Sequence, residues 1–375
     1  MITKESSISK TQLFFIIIQS QIGVGILSLP HDVSLISKND GWISTLIAGL
    51  IVQAIILVLW GLCRRFPTLT IYEIIPHVLG KRLGKAIILC YILYFVVTGS
   101  LVLSRFSQII DIWILQRTPN WILILLMLGV CVYLVKDNLR SMARFYVLVT
   151  PMLIILFGLI TYSLKDANFL YLLPIGQSGI SNMIKGSKEA TFSMLGFEFM
   201  LFLYPYVKAS DTRKLIAISS AHLFVTLFYT YLVFASLVFF ETRQDLYLTP
   251  QPLLYMIKAY SFQIIERIDL FFLSIWIISV ATSIATWLFF LHMALNTFLN
   301  VPIMLHSFHT LPGLFLLLLF FPTMKLTLKN LISLWNLHIL ALLWSYHYVY
   351  FCFHFSFLIK DMEIIMYENQ KVFYD

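Results

Sequence analysis

Two closely spaced glycines in the first apolar segment are the first indication of a binding site. The segment contains Gln21-Ile22-Gly23-Val24-Gly25-Ile26-Leu27. A glycine destabilises a helix by about 1 kcal/mol relative to alanine, so the helix can unwind between these residues. Backbone amides and carbonyls freed in an apolar environment must be satisfied by protein, water or ligand. We therefore expect the break to line a cavity, with ligand-binding residues Ile22, Gly23, Val24 and Gly25.

A second irregularity follows at Ser193-Met194-Leu195-Gly196-Phe197-Glu198, where an acidic side chain stands in an apolar run. A lone carboxylate there would be protonated or paired. Arg105 is a candidate partner, although its long side chain could instead reach the surface. The ligand-binding residues predicted at this second break are Leu195, Gly196, Phe197 and Glu198.

Hydroxyl groups supply a third candidate element. Thr282, Ser283 and Thr286 share one face of a helix and could bind a carboxylate or complete a sodium site beside the first break. They could equally bond their own helix carbonyls. Thr98 and Leu101, in an earlier apolar segment, are weaker candidates for the same pocket.

Broken helices expose both kinds of helix end. The positive dipole end suits a carboxylate and the carbonyl-rich end suits an ammonium group, so a small zwitterion such as an amino acid fits the pair. The alternative is that the glycines only allow close helix packing.

The composition indicates the setting of these elements. Of 375 residues, 60% are hydrophobic and only 12% are charged. This excludes a soluble enzyme, and apolar runs without period-two alternation exclude a β-barrel. The net charge of +8 is scattered at segment ends, so nucleic acid is not an expected partner; the lipid bilayer is.

The sequence predicts an all-α integral membrane protein with ten transmembrane helices. Residues 1–375 form a single transmembrane domain of two inverted five-helix repeats, 11–163 and 189–358, in a LeuT-like arrangement whose first and sixth helices are broken. The predicted spans are residues 11–36, 41–63, 85–114, 120–136, 144–163, 189–207, 214–240, 269–299, 309–324 and 330–358.

The distribution of basic residues predicts cytoplasmic termini. Fifteen of the 26 Lys and Arg residues fall on the side of the termini and ten on the opposite side. On that opposite side, long loops from Leu164 to Lys188 and from Glu241 to Asp269 are candidate partner surfaces. In the second loop, Leu253, Leu254 and Ile257 are the apolar residues expected to contact a partner.

Metal or acyl-transfer chemistry is poorly supported. The four cysteines lack C-x-x-C spacing, and His338 and His347 stand nine residues apart, on opposite helix faces. His306 and His309 have no acidic residue or nucleophile at useful spacing. We expect no enzyme activity, no metal and no cofactor.

Four motifs stand out along the chain: Gly23-Val24-Gly25-Ile26-Leu27-Ser28-Leu29-Pro30, Leu172-Leu173-Pro174-Ile175 with Gly179-Ile180, Lys185-Gly186, and Leu195-Gly196-Phe197-Glu198. Together they resemble the B-type subunit of bacterial spore germinant receptors, within the amino acid, polyamine and organocation transporter superfamily. The resemblance covers nearly the whole chain. It implies a ten-helix transporter-like fold in the spore inner membrane.

The resemblance also implies a function. The chain would recognise a nutrient germinant, commonly an amino acid, in a receptor that also contains an A-type membrane subunit and a C-type lipoprotein. The alternative is a working amino-acid permease coupled to protons or sodium, because a fold does not by itself distinguish sensing from transport.

Overall fold

The chain folds into helices that pack side by side. A computed structural model describes residues 7–136, 138–165, 167–241, 243–260 and 267–299. Within these ranges, five helical segments are long and apolar enough to cross a membrane: Gly25–Arg65, Ile71–Trp113, Leu139–Tyr162, Asp211–Phe239 and Ile268–Phe298. Asn120–Val135 is a shorter apolar helix. The predicted all-helical membrane character is therefore confirmed.

Thirteen α-helices make up the described part, linked in places by short 3₁₀ turns. They are α1 Lys10–Gln21, α2 Gly25–Ser37, α3 Gly41–Arg65, α4 Ile71–Trp113, α5 Asn120–Val135, α6 Leu139–Val149, α7 Met152–Tyr162, α8 Ile180–Ser193, α9 Met200–Leu203, α10 Asp211–Phe239, α11 Arg243–Leu248, α12 Pro252–Lys258 and α13 Ile268–Phe298. The predicted spans 309–324 and 330–358, and the histidines from His306 onward, lie outside the described residues.

The first predicted span is interrupted where its glycines stand. Helix α1 starts at a capping box, in which Ser9 and Gln12 each bond the other's backbone N–H, and it stops at Gln21. Ile22, Gly23 and Val24 are not helical, and α2 resumes at Gly25. Gly25 is thus the first residue of a helix, which corrects our expectation that it lies in the unwound stretch.

The sixth predicted span begins earlier than expected. Helix α8 starts at Ile180, nine residues before the predicted boundary, because Gly179 at φ 77° turns the chain directly into it. The expected loop from Leu164 to Lys188 therefore ends at Gly179. Because the first turns of α8 contain polar residues, hydropathy alone does not detect where this helix begins.

Two other spans contain internal irregularities. Thr150 and Pro151 separate α6 from α7, since proline cannot donate the hydrogen bond that a continuous helix needs. Helix α4 begins at Ile71, well before the predicted span at 85, and turns at Gly80, whose φ is 81°. Its first turns bury Ile71, Tyr72 and Ile74 in the bundle.

Ile8, just before α1, and the end of the sixth segment lie on the same side of the bundle. Ile8 N–H donates to the Tyr206 carbonyl at 2.9 Å, and Lys208 N–H donates to the Ile8 carbonyl at 3.0 Å. We call this the near side, and the opposite side, where α2 ends and α10 ends, the far side. The first and sixth segments therefore run in opposite directions, and the two inverted five-helix repeats remain a prediction.

A buried carboxylate organises the far side. Asp40, fully buried, accepts hydrogen bonds from Gly176 N–H at 2.7 Å, from Ser178 N–H at 2.9 Å and from the Ser178 hydroxyl at 2.6 Å. The neighbouring Asn39 amide donates to the Tyr171 and Leu173 carbonyls. These bonds fix the segment before α8 onto the end of α2.

Helix α12 is not a partner surface of the kind we expected. Leu253, Leu254 and Ile257 are buried, because α12 packs against α2, α10 and α13. Hydropathy alone cannot distinguish an apolar segment that is buried against its own chain from one that is exposed and binds a partner. The exposed residues of this helix are Tyr255 and Lys258.

An aromatic cluster connects α4, α9 and α13 beside the second break. Phe199 lies 4.6 Å from Trp287 and 4.6 Å from Phe290, measured between ring centroids, and Phe95 lies 5.7 Å from Phe202. Such ring pairs each add roughly 0.5–1.5 kcal/mol beyond the area they bury. The cluster therefore holds the short segment after the break in a single position.

We predict that Asp40→Asn destabilises the far side. The amide NH2 group would face backbone N–H donors, and charge-assisted bonds worth about 1.5–3 kcal/mol each would be lost. Thermal unfolding in detergent should occur at a lower temperature, and protease cleavage between residues 167 and 179 should accelerate. Asp111→Asn, at a half-buried carboxylate near the end of α4, is the control. Equal stability of the two variants would contradict the prediction.

Candidate functional site

The two helix breaks meet inside the bundle. The Ser20 hydroxyl donates to the Gly196 carbonyl at 3.2 Å. A Cβ atom added to Gly196 would lie 2.7 Å from the Ser20 carbonyl oxygen, closer than real Cβ atoms approach. The backbones at the two breaks are therefore in direct contact.

Gly196 is required at this crossing for two independent reasons. Its φ of 119° lies in a region that L-residues rarely adopt, and its missing Cβ makes room for the backbone at Ser20. The chain between Met194 and Gly196 is not helical, so the sixth segment is broken as the sequence predicted. Phe197 and Glu198 then form a 3₁₀ turn, and both are buried.

The glycines of the first break contact different neighbours. A Cβ on Gly23 would lie 2.9 Å from the Ser283 hydroxyl of α13. A Cβ on Gly25 would lie 3.1 Å from the Ser193 Cβ and 3.3 Å from its Cα, at the end of α8. Gly23 thus faces α13, and Gly25 faces the second broken segment. Ile22 is buried, and Val24 is half-buried.

Glu198 is held by neutral donors rather than by Arg105. One carboxylate oxygen accepts the Gly196 N–H at 2.8 Å, and the other accepts the Tyr94 hydroxyl at 2.9 Å. Arg105 is exposed and lies eleven residues beyond Tyr94 on α4, about 16 Å further along the axis. The predicted pairing of Arg105 with Glu198 is therefore wrong, because α4 carries the arginine away from the break.

One hydroxyl of α13 bonds a carbonyl at the first break, and the other two bond carbonyls of their own helix. Ser283 donates to the Ser20 carbonyl at 3.3 Å, so it lies at the first break. Thr282 donates to the Gln19 side-chain oxygen at 2.7 Å and also to its own helix at Ser279. Thr286 donates to the Thr282 carbonyl and lies 2.9 Å from the Tyr146 hydroxyl.

The other predicted residues are less central. Thr98 is half-buried on α4, whereas Leu101 is 47% exposed and is not brought into the buried cluster. Leu195 is half-buried within the second break. The structure therefore assembles the residues of the two breaks with Ser283, and it leaves Leu101 on the outer surface.

Sequence reasoning missed the side chains that bond the carbonyls at the first break. The Tyr229 hydroxyl of α10 donates to the Gln21 carbonyl at 2.8 Å, and the Trp276 indole N–H of α13 lies 3.4 Å from the Gly23 carbonyl. Polar groups on otherwise apolar spans were the available signal. Nothing in the sequence, however, indicates which backbone group each of them reaches.

Gln21 is the missed residue with the clearest capacity to bind a ligand. It is buried and directly precedes the break, and its side-chain nitrogen has no hydrogen-bond partner in the described structure. Its side-chain oxygen lies 3.3 Å from His222 Nδ1, and His222 Nε2 lies 2.9 Å from the Gly49 carbonyl. A buried donor without a partner destabilises a protein by about 1–3 kcal/mol, so a ligand group or water is expected beside it.

Comparisons with known proteins show which family the chain resembles along most of its length. A family described as spore germination protein matches residues 7–327. The chain is 30% identical to the spore germination protein GerQB of Bacillus cereus over 348 residues, covering 92% of this chain and 94% of that protein. It is 28% identical to the spore germination protein YndE of Bacillus subtilis, covering 76% and 80% of the two chains, and 24% identical to spore germination protein B2 of the same species, covering 72% and 74%.

We predict that Gly196→Ala is strongly destabilising. The added methyl group would clash with the Ser20 carbonyl, and the left-handed backbone adds strain of about 1–3 kcal/mol. Detergent-solubilised protein should aggregate or unfold at a clearly lower temperature. The control is Gly158→Ala in α7, where a new Cβ meets nothing within 4 Å and alanine favours the helix. Comparable melting temperatures for the two variants would show that the backbones do not touch.

We also predict energetic coupling between Glu198 and Tyr94. Tyr94→Phe removes the donor of this buried hydrogen bond and Glu198→Gln replaces its charged acceptor by a neutral amide, so the double variant should be less destabilised than the sum of the single variants. A coupling of about 1–3 kcal/mol in unfolding measurements is expected for a charged acceptor. Arg105→Gln combined with Glu198→Gln should be additive. Coupling to Arg105 instead of Tyr94 would contradict the observed contact.

Proposed function

Because this chain belongs to the spore germination protein family, we propose that it binds a nutrient germinant as the B-type subunit of a germinant receptor. The ligand is a small zwitterion, most simply a free amino acid, and it binds where the two broken segments cross. The observation that carries this proposal is the contact between Ser20 and Gly196, which brings two sets of irregular backbone together within the bundle.

The first break offers donors for a carboxylate. The N–H groups of Gly25 and Ile26 stand at the start of α2, where an N–H has no intrahelical partner and carries the positive end of the helix dipole, whereas Leu27 N–H donates to the Val24 carbonyl at 3.4 Å. The unpartnered Gln21 amide nitrogen belongs to the residue before the break, four positions before Gly25. A ligand carboxylate placed between them would receive both kinds of hydrogen bond.

The same break offers acceptors for an ammonium group. The carbonyls of Ser20, Gln21 and Gly23 each accept one bond from a neighbouring side chain. A carbonyl oxygen has a second lone pair, so each can still accept from a ligand. Glu198 contributes indirectly, since its bond to Gly196 N–H holds the second break in place.

The wider arrangement belongs to the same proposal. The two crossing segments open two inverted five-helix repeats within ten spans, and the chain lies in the spore inner membrane with its termini on the core side. It works with an A-type membrane subunit and a C-type lipoprotein. The bound ligand stabilises one conformation of this chain, and the two partners respond to that conformation. In this role the chain is a sensor without enzyme activity.

Binding and flux measurements on the purified chain separate sensing from transport. Liposomes containing the chain alone should bind one or more of the twenty proteinogenic amino acids saturably and should not accumulate them. Accumulation without partners would instead identify a coupled permease. Absence of binding by every amino acid in the panel would contradict the proposed ligand class.

We predict that Gly25→Ala weakens binding through the pocket and not only through packing. The new methyl group would lie 3.1 Å from the Ser193 Cβ and Oγ atoms, which is closer than van der Waals contact, and Ser193→Gly removes both of these atoms. Binding should remain at least about tenfold weaker in the double variant, and spores carrying it should respond poorly to the germinant. Gly61→Ala, where a Cβ meets nothing within 4 Å, is the control. Full recovery in the double variant would make Gly25 a packing residue only.

A further inference from the structure

A cavity of about 270 Å³ lies on the far side, away from the helix breaks. It is enclosed by the end of α2, the segment before α8, the end of α10 and helix α11. Its lining residues are Ser34, Lys38, Asn39, Leu170, Tyr171, Leu173, Leu237, Phe240, Glu241, Leu246 and Tyr247. The volume is below the range of about 300–1,000 Å³ typical of drug-sized sites, so an occupant must be small.

Ser34 and Asn39 are the buried polar residues among those that line this cavity. The Ser34 side chain is fully buried, and its hydroxyl has no hydrogen-bond partner in the described structure. Serines in apolar helices commonly bond a carbonyl of their own helix, as Ser236 does with Leu232 at 3.0 Å. The Ser34 hydroxyl makes no such bond in the described structure, and Ser34 is one of the residues that line the cavity.

Two opposite charges lie at the rim of the cavity. Lys38 follows α2 and Glu241 follows α10, and both are exposed. No ion pair joins them in the described part of the chain. Lys38 has φ 51°, an uncommon backbone conformation for a residue with a side chain, and this conformation fixes the direction in which its side chain leaves the backbone.

The walls of the cavity are held in place before any ligand arrives. Asn39 donates to the carbonyls of Tyr171 and Leu173, which keeps that wall against α2. His31 Nδ1 lies 3.2 Å from the Leu246 carbonyl, which ties α11 to the same helix. Binding to a preformed site loses little conformational freedom, so even a small ligand can bind there.

We propose that this cavity is a second ligand site, which accepts a small zwitterion with an apolar side chain. Glu241 receives the ammonium group, Lys38 receives the carboxylate, and Ser34 bonds a polar ligand atom deeper in the cavity. Leu237, Phe240 and Leu246 contact the apolar side chain of the ligand. Ser34 is nine residues beyond Gly25 on α2, or about 14 Å along the helix axis, so one small ligand cannot occupy both sites.

The test uses the purified full chain in lipid nanodiscs and the twenty proteinogenic amino acids as probes. Thermal stabilisation identifies those that bind, and equilibrium dialysis of the radiolabelled amino acid gives its dissociation constant and stoichiometry. Ser34→Ala, Lys38→Gln and Glu241→Gln should each weaken binding at the cavity at least about tenfold. Analogues that lack the amino or the carboxyl group should not compete.

Matched variants separate ligand contacts from folding defects. Ser34→Ala removes a hydroxyl that bonds nothing in the described structure, so the stability of the chain should be unchanged or slightly higher. Ser236→Ala, at a buried serine outside the cavity lining, and Lys185→Gln, at an exposed lysine on α8, should leave binding unchanged.

The outcomes distinguish this site from the one at the breaks. Two binding events, one lost in Ser34→Ala and the other weakened in Gly25→Ala, would support both sites. Binding that is sensitive only to the cavity variants would support the cavity and remove the proposed site at the breaks. Binding that is sensitive only to Gly25→Ala, or no amino acid bound at all, would overturn the cavity proposal.

Discussion

The backbone contact between Ser20 and Gly196 is the constraint on which the rest of the structure depends. Two interrupted segments can cross this closely only because one of them lacks a Cβ atom and adopts a left-handed backbone. A larger residue at 196 would separate the segments and displace α1 from α8 and its continuation. The close approach of the two broken segments therefore depends on Gly196.

The crossing creates polar groups that the surrounding helices must satisfy. Tyr229 and Trp276 reach carbonyls of the first break, and Tyr94 and Gly196 hold the Glu198 carboxylate. These bonds come from α4, α10 and α13, so the breaks fix the relative positions of helices that are distant in sequence. The Gln21 nitrogen remains without a partner in the described structure, and this makes the first break a place where a ligand would complete the hydrogen bonding.

Hydrogen bonds between side chains and backbone groups also hold the far side of the bundle together. Asp40 and Asn39 bond the backbone of the segment before α8, and His31 contacts the α11 backbone. Both α2 and α8 run from this side to the breaks, so any movement of the far-side segments would be carried along two helices toward the crossing.

The sequence by itself determined the helical membrane character and the places where two helices break. Apolar runs of helical length require a membrane, and glycines at 23, 25 and 196 with an acidic residue at 198 mark irregular backbone there. These are local properties, readable within a few residues. Only the tertiary structure decided that Tyr94, and not Arg105, pairs with Glu198, and that Leu253, Leu254 and Ile257 are covered by their own chain. It also decided that Lys38 and Glu241 line the same cavity. Tyr94 and Glu198 are 104 positions apart, and Lys38 and Glu241 are further apart still, so both contacts depend on how the helices pack. The periodicity of one segment carries no information about which segments lie beside it.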